Sequence, residues 1–274
     1  MVRNSKVAIV ILNYMNDSDT VECVDSTFAL EGGPYDVIVV DNASPNGGYE
    51  RLLEKYDGEN HVTVLKTEKN LGFAKGNNLG IRCARKQKKA DFVLVVNNDT
   101  VFTDPAYVRK MLAAYSQDVA ILGSCIYLKN GKQQGKYSAC FAWEYCWKRC
   151  LNFCSEAQGG CFDFRLYKTS STEILHGSVL LFTPAFFQKY KGFYTKTFLY
   201  HEEEILYLMC VRHGLRQKYV ETTSIFHKED QSSELSFGND HQVKIKFYAQ
   251  SYKWVLWWRL KVALLGKMPF DIKK

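Results

Sequence analysis

Short apolar runs rich in Val and Ile alternate with longer mixed segments through the first hundred residues. VAIVILN (7–13), DVIVVDNAS (36–44), HVTVLKT (61–67) and FVLVVNND (92–99) read as strands. Continuous apolarity over five or six positions suits a strand buried on both faces. Between them the pattern predicts a helix over about 18–30 and a Gly-rich entry into a second helix, NLGFAKGNNLGIRCARK (70–86). Thr103-Asp104-Pro105 then supplies an N-cap and an early-helix proline. Strands alternating with helices imply an α/β chain, with a Rossmann-like, mostly parallel central sheet and helices on both faces. After Val119 the pattern loosens. VAILGSCIYL (119–128) reads as a strand, 129–172 as an inserted segment rich in Cys and aromatics, and EILHGSVLLFT (173–183) as one strand leading to a helix near Pro184. No linker divides the chain, so one domain over 1–243, with halves at 1–118 and 119–243, and a tail over 244–274 is the simplest organisation.

Three of these strands end in amide or carboxylate side chains: Asn13, Asp41-Asn42 and Asn97-Asn98-Asp99. Burying such groups without partners costs about 1–3 kcal/mol each. Taken singly, each set is a plausible turn-former. Open parallel sheets, however, bind ligands outside the carboxyl ends of their strands, and three polar ends converging there point to a ligand platform.

The 274 residues are 46% hydrophobic and 24% charged, enough for one large globular domain. No run approaches the roughly 18 apolar residues that span a bilayer, and no secretory signal is visible, so a soluble, cytoplasmic protein is expected. Nine cysteines without a paired framework read as free thiols. Cys146, Cys150 and Cys154 would share one helical stripe near Trp143 and Trp147, a buried thiol stripe in the absence of C-x-x-C zinc spacing. The segment from Lys244 onward holds eight Lys or Arg against one acid, which accounts for the whole net charge of +7. Charge confined to a tail, with no accompanying motif, counts against the alternative of a non-enzymatic nucleic-acid binder.

VAIVILNY, VIVVDNAS, NLGFAKGNNLGI, VVNNDT and the later FLYHEEEILY with SIFH together resemble the inverting glycosyltransferase family 2, and most closely its bacterial capsular, exopolysaccharide and O-antigen enzymes, of rhamnosyltransferase type. The resemblance is dense from Val7 to about Asp104 and resumes from His176 to Ser233. It implies the GT-A nucleotide-sugar fold, with the nucleotide in the first half and the acceptor in the second. It also implies a divalent cation, Mn²⁺ or Mg²⁺, for which one or two protein ligands beside the phosphates suffice. Asn97-Asn98-Asp99 stands where the family has Asp-x-Asp, making Asp99 the metal carboxylate and Asn97 and Asn98 nucleotide contacts. His227 matches the late His that supplies a second metal ligand in many relatives, although a lone His is more often structural. Asn13, Tyr14 and Asp41 would meet the base, a carboxylate there favouring the imide of uracil or thymine and hence a UDP- or dTDP-sugar. Asn70, Gly72, Phe73, Gly76 and Asn78 at the helix entry would approach the nucleotide, with core packing the simpler account of Leu79. Glu202-Glu203 matches the acidic pair whose second member takes the acceptor proton. Glu203 is therefore the expected base, the run through Glu204 leaving a one-residue ambiguity. His176 is an acceptor-side candidate.

The implied partners are the donor and a glycan or lipid-linked glycan acceptor. Trp254, Trp257 and Trp258 among Lys and Arg in the tail suit an anionic membrane interface, but the cations spread around the helix axis. A helix packed on the domain or in a homodimer is the alternative. Two other functions remain in view. A sugar-1-phosphate nucleotidyltransferase would carry a Gly-rich loop after the first strand, where this chain reads NYMNDSDTVE. A catalytically degenerate, nucleotide-sugar-binding relative is kept alive by Asn97 and the triple Glu.

Overall fold

The computed structural model describes residues 5–139, 172–228 and 241–264. In chain order the elements are β1 (Val7–Asn13), α1 (Asp17–Thr27), β2 (Asp36–Asp41), α2 (Gly48–Lys55), β3 (Val62–Lys66), α3 (Phe73–Lys86), β4 (Phe92–Asn97), β5 (Thr100–Val101), α4 (Tyr107–Ala113) and β6 (Val119–Leu128). They continue with β7 (Gln133–Gln134), β8 (Lys136–Ala139), β9 (Thr172–Leu175), β10 (Val179–Phe182), α5 (Pro184–Phe187), α6 (Glu202–Arg212), β11 (Arg216–His227) and α7 (His241–Ala263).

The main sheet runs β3-β2-β1-β4-β10-β6-β11-β5. β3, β2, β1 and β4 are parallel, as their unbroken apolar runs require. Asn13 pairs with Asp41 and Leu12 with Asn97, so the three polar strand ends lie side by side. β10 enters antiparallel between β4 and β6, and β11 runs parallel to β6. The last residue of β11, His227, pairs with Thr100 of β5. That single register brings the end of the last strand among the described residues to the loop that follows β4.

Alternate side chains of each strand feed two cores. Ala8, Val10, Val40 and Val95 pack with α3, α6 and α7, whereas Ile9, Ile11, Val39 and Leu94 pack with α1 and α4. On the first face, α3 comes close to β1 because two of its positions lack a side chain. A Cβ on Gly76 would meet Leu12 at 2.6 Å, and one on Gly80 would meet Val10 at 2.4 Å.

Two expectations are corrected. The segment 173–183 is not one strand: β9 pairs with β8 in a separate ribbon, and the chain turns at Gly177-Ser178 before β10 joins the main sheet. The Ser178 carbonyl accepts the Asn97 N–H, which fixes that turn against the end of β4. The helix expected near Pro184 lasts a single turn. The predicted thiol stripe at 146, 150 and 154 lies outside the described residues, where Cys23, Cys83, Cys125 and Cys210 are free and buried. α7 packs on the domain through buried Tyr252, Val255, Trp258 and Val262. No helix of the described residues is long and apolar enough to cross a membrane.

Candidate functional site

The strand ends are closed by a buried polar network. The Asn13 amide donates to Asp41 Oδ2 at 2.7 Å and to Ser44 Oγ at 3.4 Å, while Asn13 Oδ1 accepts from the Thr20 hydroxyl at 2.8 Å. Asp41 Oδ1 accepts the Ser44 N–H at 2.9 Å. The Asn98 amide donates to Thr20 Oγ1 at 3.1 Å and to the Asn16 carbonyl at 3.0 Å. These bonds offset the desolvation of the polar ends. Asn13, Asp41 and Asn98 clip the loops after β1 and β2 to α1. Asp41 is fully buried. Tyr14 stays partly exposed. Met15 and Ala43, just past these strand ends, both sit in the left-handed backbone region, at φ 60° and 62°. Such conformations cost non-glycine residues roughly 1–2 kcal/mol and concentrate at functional loops.

A second set of bonds shapes the entry to α3. Asn42 accepts the Leu71 N–H at 2.9 Å and donates to Asn70 Oδ1 at 3.0 Å, and Asn70 Oδ1 in turn accepts the Gly72 N–H at 2.9 Å. Gly72 has φ 78°, and a Cβ there would lie 2.3 Å from the Phe198 carbonyl oxygen. The close approach allowed by this glycine is therefore to the 198 backbone, whose carbonyl accepts the Phe73 N–H at 2.8 Å. Phe73 packs edge-on to Phe193. Asn78 uses both ends of its amide on the Phe193 backbone, at 2.8 and 2.9 Å. Gly76 and Asn78 thus hold α3 against β1 and against the Phe193 backbone.

Asp99 and His227 meet across 128 positions of sequence. His227 Nε2 lies 3.1 Å from Asp99 Oδ1, both residues are more than nine-tenths buried, and the Lys228 N–H bonds the Asp99 carbonyl. Two ligands at right angles around an ion about 2.1 Å away stand about 3.0 Å apart, so this spacing fits adjacent ligands of one cation. Among the described residues no hydrogen bond reaches Asp99 Oδ2, whereas Oδ1 faces His227. An oxygen with an imidazole nitrogen favours Mn²⁺ over Mg²⁺, the harder ion. Among the described residues no group of three or more His, Cys, Asp or Glu gathers for a metal, so phosphates and water would complete the shell. The Asn97 side chain, half-buried at the end of β4, makes no hydrogen bond among the described residues.

The acid run opens α6. It follows two consecutive left-handed residues, Tyr200 at φ 72° and His201 at φ 67°. The three acids are treated differently. Glu204 is bonded to His201 Nδ1. Glu202 is buried with Oε1 unpartnered, and burial together with the Glu203 charge pushes its carboxyl well above the usual range. Glu203 accepts the Gly177 N–H at 3.1 Å, and its carboxyl is also pushed up, chiefly by burial. Gly177 belongs to the turn that holds His176, whose Nδ1 accepts from Ser178, and whose ring centroid is 6.1 Å from that of His227. One turn, 176–178, therefore touches Glu203, the end of β4 and the Asp99–His227 pair.

Sequence reasoning missed Ser44, which resembles an ordinary turn residue, and Thr20, which sits inside α1. It also missed Lys228, whose ammonium pairs with Asp19 at 2.7 Å and with Glu22. Its position beside His227 was the available signal.

The profile of "Glycosyl transferase family 2" matches residues 8–175. The low-salt glycan biosynthesis hexosyltransferase of Haloferax volcanii is 27% identical over 93 residues, 34% of this chain and 27% of that protein. The chain thus spans about a quarter of the length of that curated relative. Among solved structures, S. aureus TarS in complex with UDP-GlcNAc superposes with a TM-score of 0.55 at 15% identity, covering 85% of this chain and 61% of that one. A Pyrobaculum calidifontis mannosyltransferase in complex with GDP-Man and Mn²⁺ gives 0.57 at 13% identity, covering 96% and 76%. At such identities the likeness concerns the fold, which is GT-A.

Proposed function

The chain belongs to glycosyltransferase family 2, and on that footing we propose that it transfers one sugar, with inversion, from a nucleotide-diphosphate donor to a glycan or lipid-linked glycan in bacterial surface polysaccharide synthesis. Asp99 and His227 would hold Mn²⁺ or Mg²⁺. The bound ion supplies neutralisation of the charge that grows on the departing diphosphate. The Glu203 carboxylate takes the acceptor hydroxyl's proton as that oxygen bonds the anomeric carbon, opposite the leaving nucleotide. The Gly177 N–H orients Glu203 while leaving its second oxygen for the proton. Tyr14 offers a ring to the base and Asn97 an amide to the ribose or a metal-bound water. UDP- and dTDP-sugars are the donors to try first.

The observation that carries this reading is the joint placement of Glu203 and the Asp99–His227 pair around the 176–178 turn. The test is nucleotide release from UDP-, dTDP- and GDP-sugars with Mn²⁺, using membrane extracts as acceptor source. We expect release to fall at least about 10²-fold in Glu203→Gln and to vanish with chelator or in Asp99→Ala. Release unaffected by chelator and by Asp99→Ala would contradict the proposal. Metal-dependent nucleotide binding without any turnover would favour a degenerate, nucleotide-sugar-binding relative.

A further inference from the structure

α7 carries five Lys or Arg and no acid. In the sequence these cations ring the helix, but the fold sorts them. Arg259 is turned into the protein, 3% exposed, and Lys261 lies over the Trp257 and Trp258 rings at 4.3 and 5.0 Å. What remains outward is a stripe graded along the helix. Its first half shows Lys246 and Lys253, and its last two turns show Trp257, Leu260 and Leu264, which are 40%, 52% and 79% exposed. Half of the large exposed hydrophobics of the described residues lie in these two turns. A run of exposed apolar side chains at helical spacing, bordered by cations, is a surface for a partner.

We propose that this outer edge of α7 docks on an anionic lipid surface, with Trp257, Leu260 and Leu264 entering the headgroup boundary and Lys246 and Lys253 facing the lipid phosphates. The helix is too polar to span a bilayer, so it would lie on one. Tryptophan at the junction of apolar and basic positions suits that boundary. A second copy of the chain fits less well, because pairing α7 with α7 would set two all-cationic helices against each other. The inference rests on the transferase reading only in that a lipid-linked acceptor gives docking a purpose.

The test is co-sedimentation of the full chain with phosphatidylcholine vesicles, with and without about one-third phosphatidylglycerol. It needs neither donor nor turnover, so its failure leaves the transferase reading standing. Binding should require phosphatidylglycerol, weaken with added salt, and fall about tenfold in both Leu260→Glu with Leu264→Glu and Lys246→Glu with Lys253→Glu. These exposed positions leave the core untouched, and an unchanged melting temperature would verify that each variant folds. No sedimentation, equal sedimentation with neutral vesicles, or undiminished binding by the Leu260/Leu264 variant would overturn the proposal. So would a dimer in solution that the Leu260/Leu264 variant dissociates, or displacement from vesicles by nucleic acid.

Discussion

At the scale of single residues, three adjacent glutamates illustrate how environment assigns roles. Glu204 is held by His201, Glu202 is enclosed without a partner on Oε1, and Glu203 has one backbone donor and a partly open position. Glu203→Gln should keep donor affinity and lose turnover by about 10²-fold or more, read as a fall in kcat with donor KM little changed. Because burial raises the Glu203 carboxyl, turnover should decline on acidification at a pH above the ordinary glutamate value of 4.5, and a pH–rate profile would show where. Glu202 gives a second, thermodynamic test. Its raised folded-state pKa means that the native protein binds more protons than the unfolded chain above pH 4.5. Stability contributed by this site therefore falls as pH rises from there. Glu202→Gln should be the more stable protein near neutrality, by about 1 kcal/mol or more, with the gap closing toward pH 4.5 in denaturant titrations. A variant less stable than wild type at every pH would remove that account of Glu202.

Among elements, the loop that opens α3 and the loop that precedes α6 are locked together at Gly72 and Phe198. Gly72→Ala places a Cβ on the Phe198 carbonyl and a side chain at φ 78°, so it should destabilise the fold by about 2–4 kcal/mol. Thermal melts would show it, and nucleotide-dependent stabilisation should weaken in parallel. Element boundaries were legible only in part. The segment read as a Gly-rich entry into a helix from residue 70 becomes helical at Phe73 because residues 70–72 bond Asn42 and meet Phe198. The apolar run 173–183 reads as one strand because its side chains are equally apolar before and after the break. His176-Gly177-Ser178 held the turn signal, and the reason for the turn, its contact with β4 and Glu203, is tertiary.

Over the whole molecule, the alternation of strands and helices sufficed to give the parallel sheet, and the polar strand ends gave the side of the sheet on which to look. The detailed duties of those ends were not legible. Asn13, Asp41 and Asn98 bond one another's loops, a fact that depends on Thr20 and Ser44 arriving from α1 and the β2 loop. The Asp99–His227 contact is likewise invisible locally, since it exists only because β11 crosses beside β6 and ends against β5. Resemblance to a family suggested both residues, and the topology supplies the 3.1 Å spacing. The central claim is that this pair and a nucleotide diphosphate share one cation. Its most direct test is the melting temperature of the chain with UDP, dTDP or GDP, each with and without Mn²⁺, in wild type, Asp99→Ala and His227→Ala. Nucleotide at about 100 times its Kd should stabilise the fold by roughly 2.7 kcal/mol, and the account predicts that this shift requires Mn²⁺ and is lost in Asp99→Ala and weakened in His227→Ala. An equal shift without metal, or one that survives Asp99→Ala, would contradict it.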